Sequence, residues 1–237
     1  MLEYRLERKG LFFAMKKALR FIGTYKHGLW MVAYMAFYML GFFILENAGH
    51  RHYHLIHTVF DDFIPFCKYF IIPYDLWFLY ILVSVCFFIF FCRDKREYYK
   101  LTCSLAIGMT IFLIVSCVFP NRQDLRPALV EGSDIFSSMV RALYAADTPT
   151  NVLPSIHVYN SAVVFFALNT TPQLKRWKKT RAACGVLSAL IILSTMFLKQ
   201  HSILDVTLGL LMSFAVQTFV EWVFLPEPRT VQQAEKA

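Results

Sequence analysis

Charged side chains are scarce in this chain. Lys, Arg, Asp and Glu make up 17% of its 237 residues, whereas 57% are hydrophobic and 24 are phenylalanine. Soluble domains carry about 25% charged residues, so this composition argues against a soluble enzyme. The apolar residues come in blocks of about 17 to 23, the length that crosses roughly 30 Å of hydrocarbon as a helix. The composition therefore predicts an integral membrane protein.

The chain also lacks the patterns that mark several other classes of protein. Its 6 cysteines lie mostly in or beside apolar blocks and show no metal-binding or disulfide spacing. No internal repeat or low-complexity segment is evident, and there is no room for a separate soluble domain. The net charge of +8 is concentrated in loops beside apolar blocks, which indicates contact with lipid headgroups. We therefore expect the lipid bilayer, and no nucleic acid, as a partner.

Residues 1–27 form a basic segment. Seven Lys and Arg residues alternate there with apolar residues such as Leu11, Phe12 and Phe21, which predicts an amphipathic helix lying on the membrane surface. The charged lead is too long for a secretory signal, and the apolar block after it has full spanning length. Residues 28–225 are predicted to form the catalytic membrane domain, and residues 226–237 a polar cytoplasmic tail.

Six apolar blocks are predicted to cross the membrane, which gives an all-α, polytopic six-helix bundle. Their predicted bounds are 28–47, 74–92, 101–119, 155–169, 182–198 and 203–224. The fourth block is short, and the sequence leaves open whether it starts below the membrane surface or continues to residue 174. The apolar run 63–73 is too short to cross and is expected to lie along the outer interface.

Basic residues are divided unevenly between the two ends of this bundle. The N-terminal segment, the loops 93–100 and 173–181 and the tail hold 18 of the 24 Lys and Arg residues, and the opposite loops hold six. Positive residues favour the cytoplasmic side. Both termini are therefore predicted to be cytoplasmic in a multi-pass protein of the cell membrane, whose oligomeric state the sequence leaves open.

Three polar clusters then fall on the extracytoplasmic side. Residues 151–157 open the fourth helix, residues 201–205 open the sixth, and Arg126 lies in an outer loop. His201 and Asp205 are four residues apart and share a helix face, so the carboxylate can fix the imidazole tautomer and leave the other nitrogen as a nucleophile. For this pair alone, a structural helix cap is an equal alternative.

The other two clusters add groups suited to phosphate. His157 is a candidate general acid, and Ser155 with the backbone amides of a helix start is a candidate to bind anionic oxygens. A simple cap is the leading alternative for Ser155 taken alone. Arg126 offers a charged fork for phosphate, and its alternative role is contact with headgroups. Together these groups favour phosphoryl transfer through a phosphohistidine, for which no cofactor is expected.

These residues carry a family resemblance. The Pro-Ser-Ile-His sequence that ends at His157 resembles the Pro-Ser-Gly-His motif of the type 2 phosphatidic acid phosphatase superfamily. The spacing Ser-Thr-x5-His-x3-Asp that ends at Asp205 matches the Ser-Arg-x5-His-x3-Asp motif of that superfamily. Arg126-Pro127 resembles the end of its first motif.

The resemblance implies a six-helix bundle and a role for each candidate residue. It implies that His201 is the nucleophile and that Asp205 orients it. His157 would act first as acid and then as base. Arg126 and Ser155 would bind the phosphate.

Three positions depart from the superfamily pattern. Phe119 stands where the first motif has lysine, Ile156 where the second has glycine, and Thr195 where the third has arginine. Two phosphate-binding cations are therefore absent. Lys199 and Arg122 are candidates to compensate.

A branch of the superfamily that includes inositol phosphorylceramide synthases shares these departures. Ser-Thr-Met at 194–196, and Ile-Pro-Tyr at 72–74 with Trp77 after it, are similar to that branch. Such enzymes move a phosphorylated headgroup to an alcohol. The first hypothesis is a metal-independent lipid phosphatase acting on a membrane lipid phosphate at the extracytoplasmic face. A lipid phosphotransferase is the alternative, and a catalytically silent lipid-binding protein is the second alternative.

Metal binding is considered for two groups of residues. The first outer loop contains His50, His52, His54 and His57. No carboxylate or cysteine completes a recognisable ligand spacing there, so a metal site is not expected. A zinc site built from His157, His201 and Asp205 is an alternative to the phosphohistidine hypothesis, which we favour.

Overall fold

The computed structural model describes residues 23–48 and 52–224. The helices over these residues are α1 (Leu29–Glu46), α2 (Val59–Asp62), α3 (Ile71–Phe90), α4 (Lys95–Val118), α5 (Ile135–Ala146), α6 (Ile156–Thr170), α7 (Lys178–Phe197) and α8 (Ile203–Val223). Two short strands, β1 (His54–Leu55) and β2 (Asn121–Arg122), pair in parallel. The predicted amphipathic helix lies mostly outside the described residues, and so does the polar tail.

The all-α fold is confirmed, and each of the six predicted apolar blocks forms a helix. They correspond to α1, α3, α4, α6, α7 and α8. The main difference in bounds is the start of α4, which lies at Lys95 instead of residue 101 because the Asp94 side chain caps it by accepting a hydrogen bond from the Arg96 amide. The end of the predicted interfacial run 63–73 instead begins α3, through the 3-10 turn Lys68–Phe70.

Five of these helices are long and apolar enough to cross a membrane. The exception is α6, whose 15 residues extend over about 22 Å, less than the roughly 30 Å of a hydrocarbon core. This helix packs against α3, α4, α7 and α8 and is buried along most of its length. Protein therefore surrounds much of it, and its role as the sixth crossing stays a prediction.

The core of the bundle is built from buried residues of α1, α3, α4, α6, α7 and α8. Tyr159 of α6 is fully buried and donates a hydrogen bond of 2.6 Å to the Ser104 carbonyl of α4. The ring fits because Gly108 has no side chain, since a Cβ there would lie 2.0 Å from Tyr159. Large apolar side chains on the outer faces of α1, α3 and α8 are exposed, as expected of helices in contact with lipid.

One end of the bundle is covered by the loops that hold the polar clusters. Helix α5, which was not predicted, packs on α3 and on the turn Lys68–Phe70. Asp134 caps α5 by accepting hydrogen bonds from two backbone amides of its first turn.

The loop before α6 is held by Asn121. The Asn121 side-chain oxygen accepts hydrogen bonds from the amides of Val152 and Leu153 at 2.8 and 2.9 Å. These contacts hold the residues just before α6 in place.

The starts of α6 and α8 meet at this same end. The Ser155 amide donates a hydrogen bond of 3.2 Å to the Asp205 carbonyl. Gly209, one turn further along α8, allows this approach, because a Cβ there would lie 2.9 Å from the Ser155 carbonyl oxygen. The predicted convergence of residues 151–157 and 201–205 is therefore present in the structure.

We predict that Gly209→Ala destabilises the protein. The new Cβ would push against a backbone oxygen, and overpacking of this kind costs about 1–3 kcal/mol. Gly23→Ala is the matched control, because a Cβ there meets no atom within 4 Å and the variant still gains the helix propensity of alanine, about 1 kcal/mol. Thermal unfolding in detergent measures the difference. Equal midpoints for the two variants would contradict the packing described here.

Candidate active site

His201 lies in the tight turn between α7 and α8. Its amide donates a hydrogen bond of 3.1 Å to the Thr195 carbonyl, and Lys199 in the turn has a positive φ of 53°. Ser202 then caps α8 in a capping box with Asp205. The backbone thus directs the imidazole at a defined angle beside the first turn of α8.

Asp205 holds the imidazole in one orientation. Its Oδ2 accepts from the Ser202 amide at 2.9 Å and lies 3.4 Å from His201 Nδ1. Asp205 is fully buried and His201 is 8% exposed. Because a carboxylate can only accept, Nδ1 is the donor in this contact, and in the neutral imidazole Nε2 would then carry the lone pair. Asp205 therefore caps the helix and also orients the His201 imidazole, and the role of His201 as a nucleophile stays a prediction.

The His157 ring lies near that of His201. The ring centroids are 5.7 Å apart, close enough for both rings to contact one phosphoryl group. Trp77 and Tyr74 flank the His157 ring, with centroids at 4.3 and 4.8 Å. His157 Nδ1 is buried and has no hydrogen-bond partner among the described residues. It is therefore a titratable group held mainly by aromatic packing.

Ser155 acts as a helix cap. Its side chain accepts a hydrogen bond of 3.4 Å from the Val158 amide, and the residue is fully buried. This contact agrees with the capping alternative, and a phosphate-binding role stays a prediction. The cap also leaves the amides at the start of α6 beside His157, where a helix N-terminus favours negative charge.

Arg126 points its guanidinium toward the turn that holds His201. Nη1 donates to the Asp147 carbonyl at 2.8 Å, and Nη2 donates to Gln200 Oε1 at 2.5 Å. The guanidinium also lies over the Tyr144 ring, 4.6 Å from its centroid. Burial lowers the pKa of Arg126 from its ordinary value, but an arginine remains charged in proteins.

Asp147 was not predicted from the sequence. It follows α5 and lines the same cavity as the two histidines. Burial raises the pKa of the Asp147 carboxyl, and the nearby His201 and Arg126 oppose that rise. The cavity that holds the two histidines is therefore also lined by a carboxyl group, that of Asp147.

A cavity of about 390 Å³ opens beside the two histidines, and Arg126, Ser155 and Asp205 are not among the residues that line it. His157, His201, Gln200 and Asp147 line its polar part. Its apolar part is lined by residues of α1, α3, α4 and α5, namely Tyr38, Met39, Phe42, Tyr74, Trp77, Phe78, Phe112, Leu143 and Ala146. An apolar cavity with a few convergent polar groups is typical of a ligand site.

The two candidate auxiliary cations do not contact the histidines. Lys199 Nζ donates a hydrogen bond of 2.7 Å to the Asp61 carbonyl. Arg122 is exposed, and its backbone belongs to β2. At the departing positions, Phe119 stacks on His54 with centroids 4.3 Å apart, and the Thr195 hydroxyl donates to the Ile192 carbonyl. Ile156 lines the cavity.

A buried carboxylate that sequence reasoning missed anchors the start of α8. Asp61, 1% exposed, accepts hydrogen bonds from the Ser202 hydroxyl at 2.7 Å and the Ile203 amide at 2.8 Å. The amide and hydroxyl of Thr58 donate to the same carboxylate. Burial raises the pKa of Asp61, but these hydrogen bonds outweigh it and lower the pKa overall. The Thr-x-x-Asp capping box at Thr58 is the sequence signal that could have identified it.

The outer histidines form no metal cluster in the part of the chain that the structure describes. His57 instead lies between two carboxylates, with Nε2 3.0 Å from Asp62 and Nδ1 2.8 Å from Asp124. Hydrogen bonds to Asp124 and Asp62 raise the pKa of His57. His50 lies outside the described residues.

The comparison with protein families agrees with the motifs. Residues 123–227 match the model of the PAP2 superfamily. The matched segment contains Arg126, Ser155, His157, His201 and Asp205. Over these residues the chain resembles the PAP2 superfamily, which supports a membrane protein of the phosphatase and phosphotransferase kind. Comparisons with curated proteins and with solved structures gave no match.

We predict that Asp61→Asn destabilises the outer end of the bundle at neutral pH. An amide nitrogen would face donors that now bond a carboxylate, and each unsatisfied buried group costs about 1–3 kcal/mol. Asp62→Asn is the matched control, because the Asp62 side chain is 65% exposed and its ion pair with His57 lies at the surface, where such pairs contribute little to stability. Thermal unfolding of both variants against wild type measures the effect.

The pH dependence gives a second readout of the same variant. Because folding lowers the pKa of Asp61, its stabilising contribution is present above the unfolded value of about 3.9. It is lost as the pH falls through the lowered pKa. The difference in unfolding midpoint between wild type and Asp61→Asn should therefore become smaller in acid. A difference that does not change with pH would contradict the role of the charge.

Proposed function

We propose that this protein is a lipid phosphatase that works through a phosphohistidine on His201. The observation that carries the proposal is the pairing of His201 with a buried carboxylate while a second imidazole, that of His157, lies 5.7 Å away between ring centroids. One imidazole is oriented as a nucleophile and the other is placed beside it as an acid. Resemblance to the PAP2 superfamily supports the same chemistry.

The proposed reaction has two steps. In the first, His201 Nε2 attacks phosphorus as the bond from phosphorus to the leaving oxygen breaks, and that oxygen takes a proton from His157. In the second, water attacks the phosphorus and gives a proton to His157 as the bond from phosphorus to His201 Nε2 breaks. Phosphate is released and His201 is restored. Arg126 and the amides at the start of α6 would stabilise the charge on the phosphoryl oxygens.

The shape of the cavity supports a lipid substrate. Met39 of α1 and Phe78 of α3 line the cavity and are also exposed on the outer face of the bundle, at 55% and 65%. The cavity is therefore bordered by side chains that would contact the acyl chains of the bilayer. A phosphorylated headgroup would reach the histidines while its tails stay between α1 and α3. The distribution of basic residues favours the extracytoplasmic side for this opening.

A lipid phosphotransferase is the second candidate. Arg126 bonds Gln200, the residue before His201, and the Asp147 carboxyl lines the cavity that holds the histidines. A site with this charge suits a phosphodiester with one negative charge better than a dianionic monoester. Asp147 could also accept the proton of an acceptor alcohol. In this case the alcohol replaces water in the second step, as the resemblance to inositol phosphorylceramide synthases implies.

We predict that the purified protein consumes a lipid phosphate and that His201→Ala removes this activity. Truncation removes the nucleophile, so turnover should fall by at least about 1000-fold. His54→Ala is the matched control, because His54 stacks on Phe119 in the outer loop and should keep activity. Mass spectrometry of the lipid products measures both reactions.

The products separate the hypotheses. Free phosphate identifies a phosphatase, and a new phosphorylated lipid formed with diacylglycerol or ceramide identifies a transferase. Undiminished turnover by a folded His201→Ala protein would reject the mechanism. A wild-type protein that binds lipid phosphates but turns over none would indicate the silent lipid-binding alternative.

A further inference from the structure

The phosphate site has fewer cations than the superfamily motifs supply. Phe119 and Thr195 stand in the places of a lysine and an arginine. The Lys199 ammonium donates its hydrogen bond to the Asp61 carbonyl and not to a group of the histidine cavity. Other donors beside Arg126 are therefore needed if the cavity is to hold a phosphoryl group.

Gln200 lies in a suitable place. It directly precedes His201, lines the same cavity and is 2% exposed. Its Oε1 accepts the hydrogen bond of 2.5 Å from Arg126 Nη2. Because a guanidinium can only donate, this bond identifies the oxygen of the amide and turns Nε2 away from Arg126.

Two N–H groups of this pair have no partner. Gln200 Nε2 and Arg126 Nε are both buried, and neither makes a hydrogen bond within the described residues. A buried donor without a partner costs about 1–3 kcal/mol, so two of them in one hydrogen-bonded pair call for an explanation. Gln200 lines the cavity beside His157 and His201, so an oxyanion bound there would accept from Gln200 Nε2.

We propose that Gln200 is a phosphate ligand in which Nε2 donates to an oxygen of the bound phosphoryl group while Oε1 holds Arg126 in place. The inference rests on the site used in the proposed function, and its ligand is a tetrahedral oxyanion. A neutral amide thus takes part of the role that a cation has in the superfamily motifs. The role is distinct from positioning alone, because it requires the nitrogen as well as the oxygen.

Gln200→Glu separates these two roles. The variant keeps an oxygen that accepts from Arg126, but it replaces the donor with a second, negatively charged oxygen. Gln200→Met keeps the length of the side chain and removes both groups. Gln173→Glu is the matched control, because Gln173 bonds backbone groups of Phe91 and Arg93 at the opposite end of the bundle.

The test is binding of orthovanadate to the full-length protein in detergent, measured by calorimetry with thermal unfolding as the check of folding. We expect Gln200→Glu and Gln200→Met to bind about 10- to 100-fold more weakly than wild type, as the loss of a hydrogen bond to a charged group predicts. Gln173→Glu should bind as wild type does. If Gln200→Glu does not fold, the Met variant tests whether the Gln200 side chain contributes to binding at all.

Three outcomes would overturn the proposal. The first is wild-type affinity in Gln200→Glu, which would leave only the positioning of Arg126. The second is wild-type affinity in Gln200→Met, and the third is no binding of orthovanadate by the wild type. Lipid turnover is measured separately, so a protein that binds orthovanadate through Gln200 but turns over no lipid would support this inference and contradict the proposed function.

Discussion

Asp205 is the residue on which the geometry of the site depends. Its carboxylate caps α8 through the Ser202 amide and orients the His201 imidazole, and its carbonyl accepts the amide of Ser155. One residue therefore fixes the start of one helix, the angle of one imidazole and the position of the helix that carries His157. Since the carboxylate is fully buried, its hydrogen bonds are strong relative to exposed ones. A small shift here would change the distance between the two histidines.

The surrounding fold supports this arrangement from two directions. Asp61 bonds the start of α8 from the outer loop, and Gly209 allows α8 to approach α6 from within the bundle. Helix α5 covers the end of the bundle that holds the site, and Asp147, the residue after α5, lines the cavity. The helices α1 and α3 supply the apolar wall. The site is thus polar where chemistry is proposed and apolar where lipid chains would lie, which lets a water-insoluble substrate reach ionisable groups.

Much of the fold was predictable because apolar blocks of spanning length are a strong signal. The spacing of His201 and Asp205 was also sufficient to predict their contact, since residues four apart in a helix share a face. Asp61 was missed because its partner Ser202 lies 141 residues away, and spacing along the chain carries no information about such a contact. A capping box at Thr58 was the available signal.

Two further features were missed for different reasons. Helix α5 has 12 residues, too few to cross a membrane, so a search for spanning blocks passes over it. The Asp134 cap before its first apolar residues could have marked its start. Gln200 carries no charge and belongs to no recognised spacing, so only its bond to Arg126 distinguishes it. Features that depend on tertiary contacts were therefore the ones that the sequence did not predict.

Phosphorylation of His201 during turnover is the step on which the proposed mechanism depends. The most direct measurement is to quench the protein in alkali during reaction with a phosphorus-labelled lipid phosphate and to locate the label by mass spectrometry, since phosphohistidine is labile in acid. We expect an acid-labile phosphate on His201. Label on another residue, or turnover with no phosphorylated His201 at any time point, would contradict it.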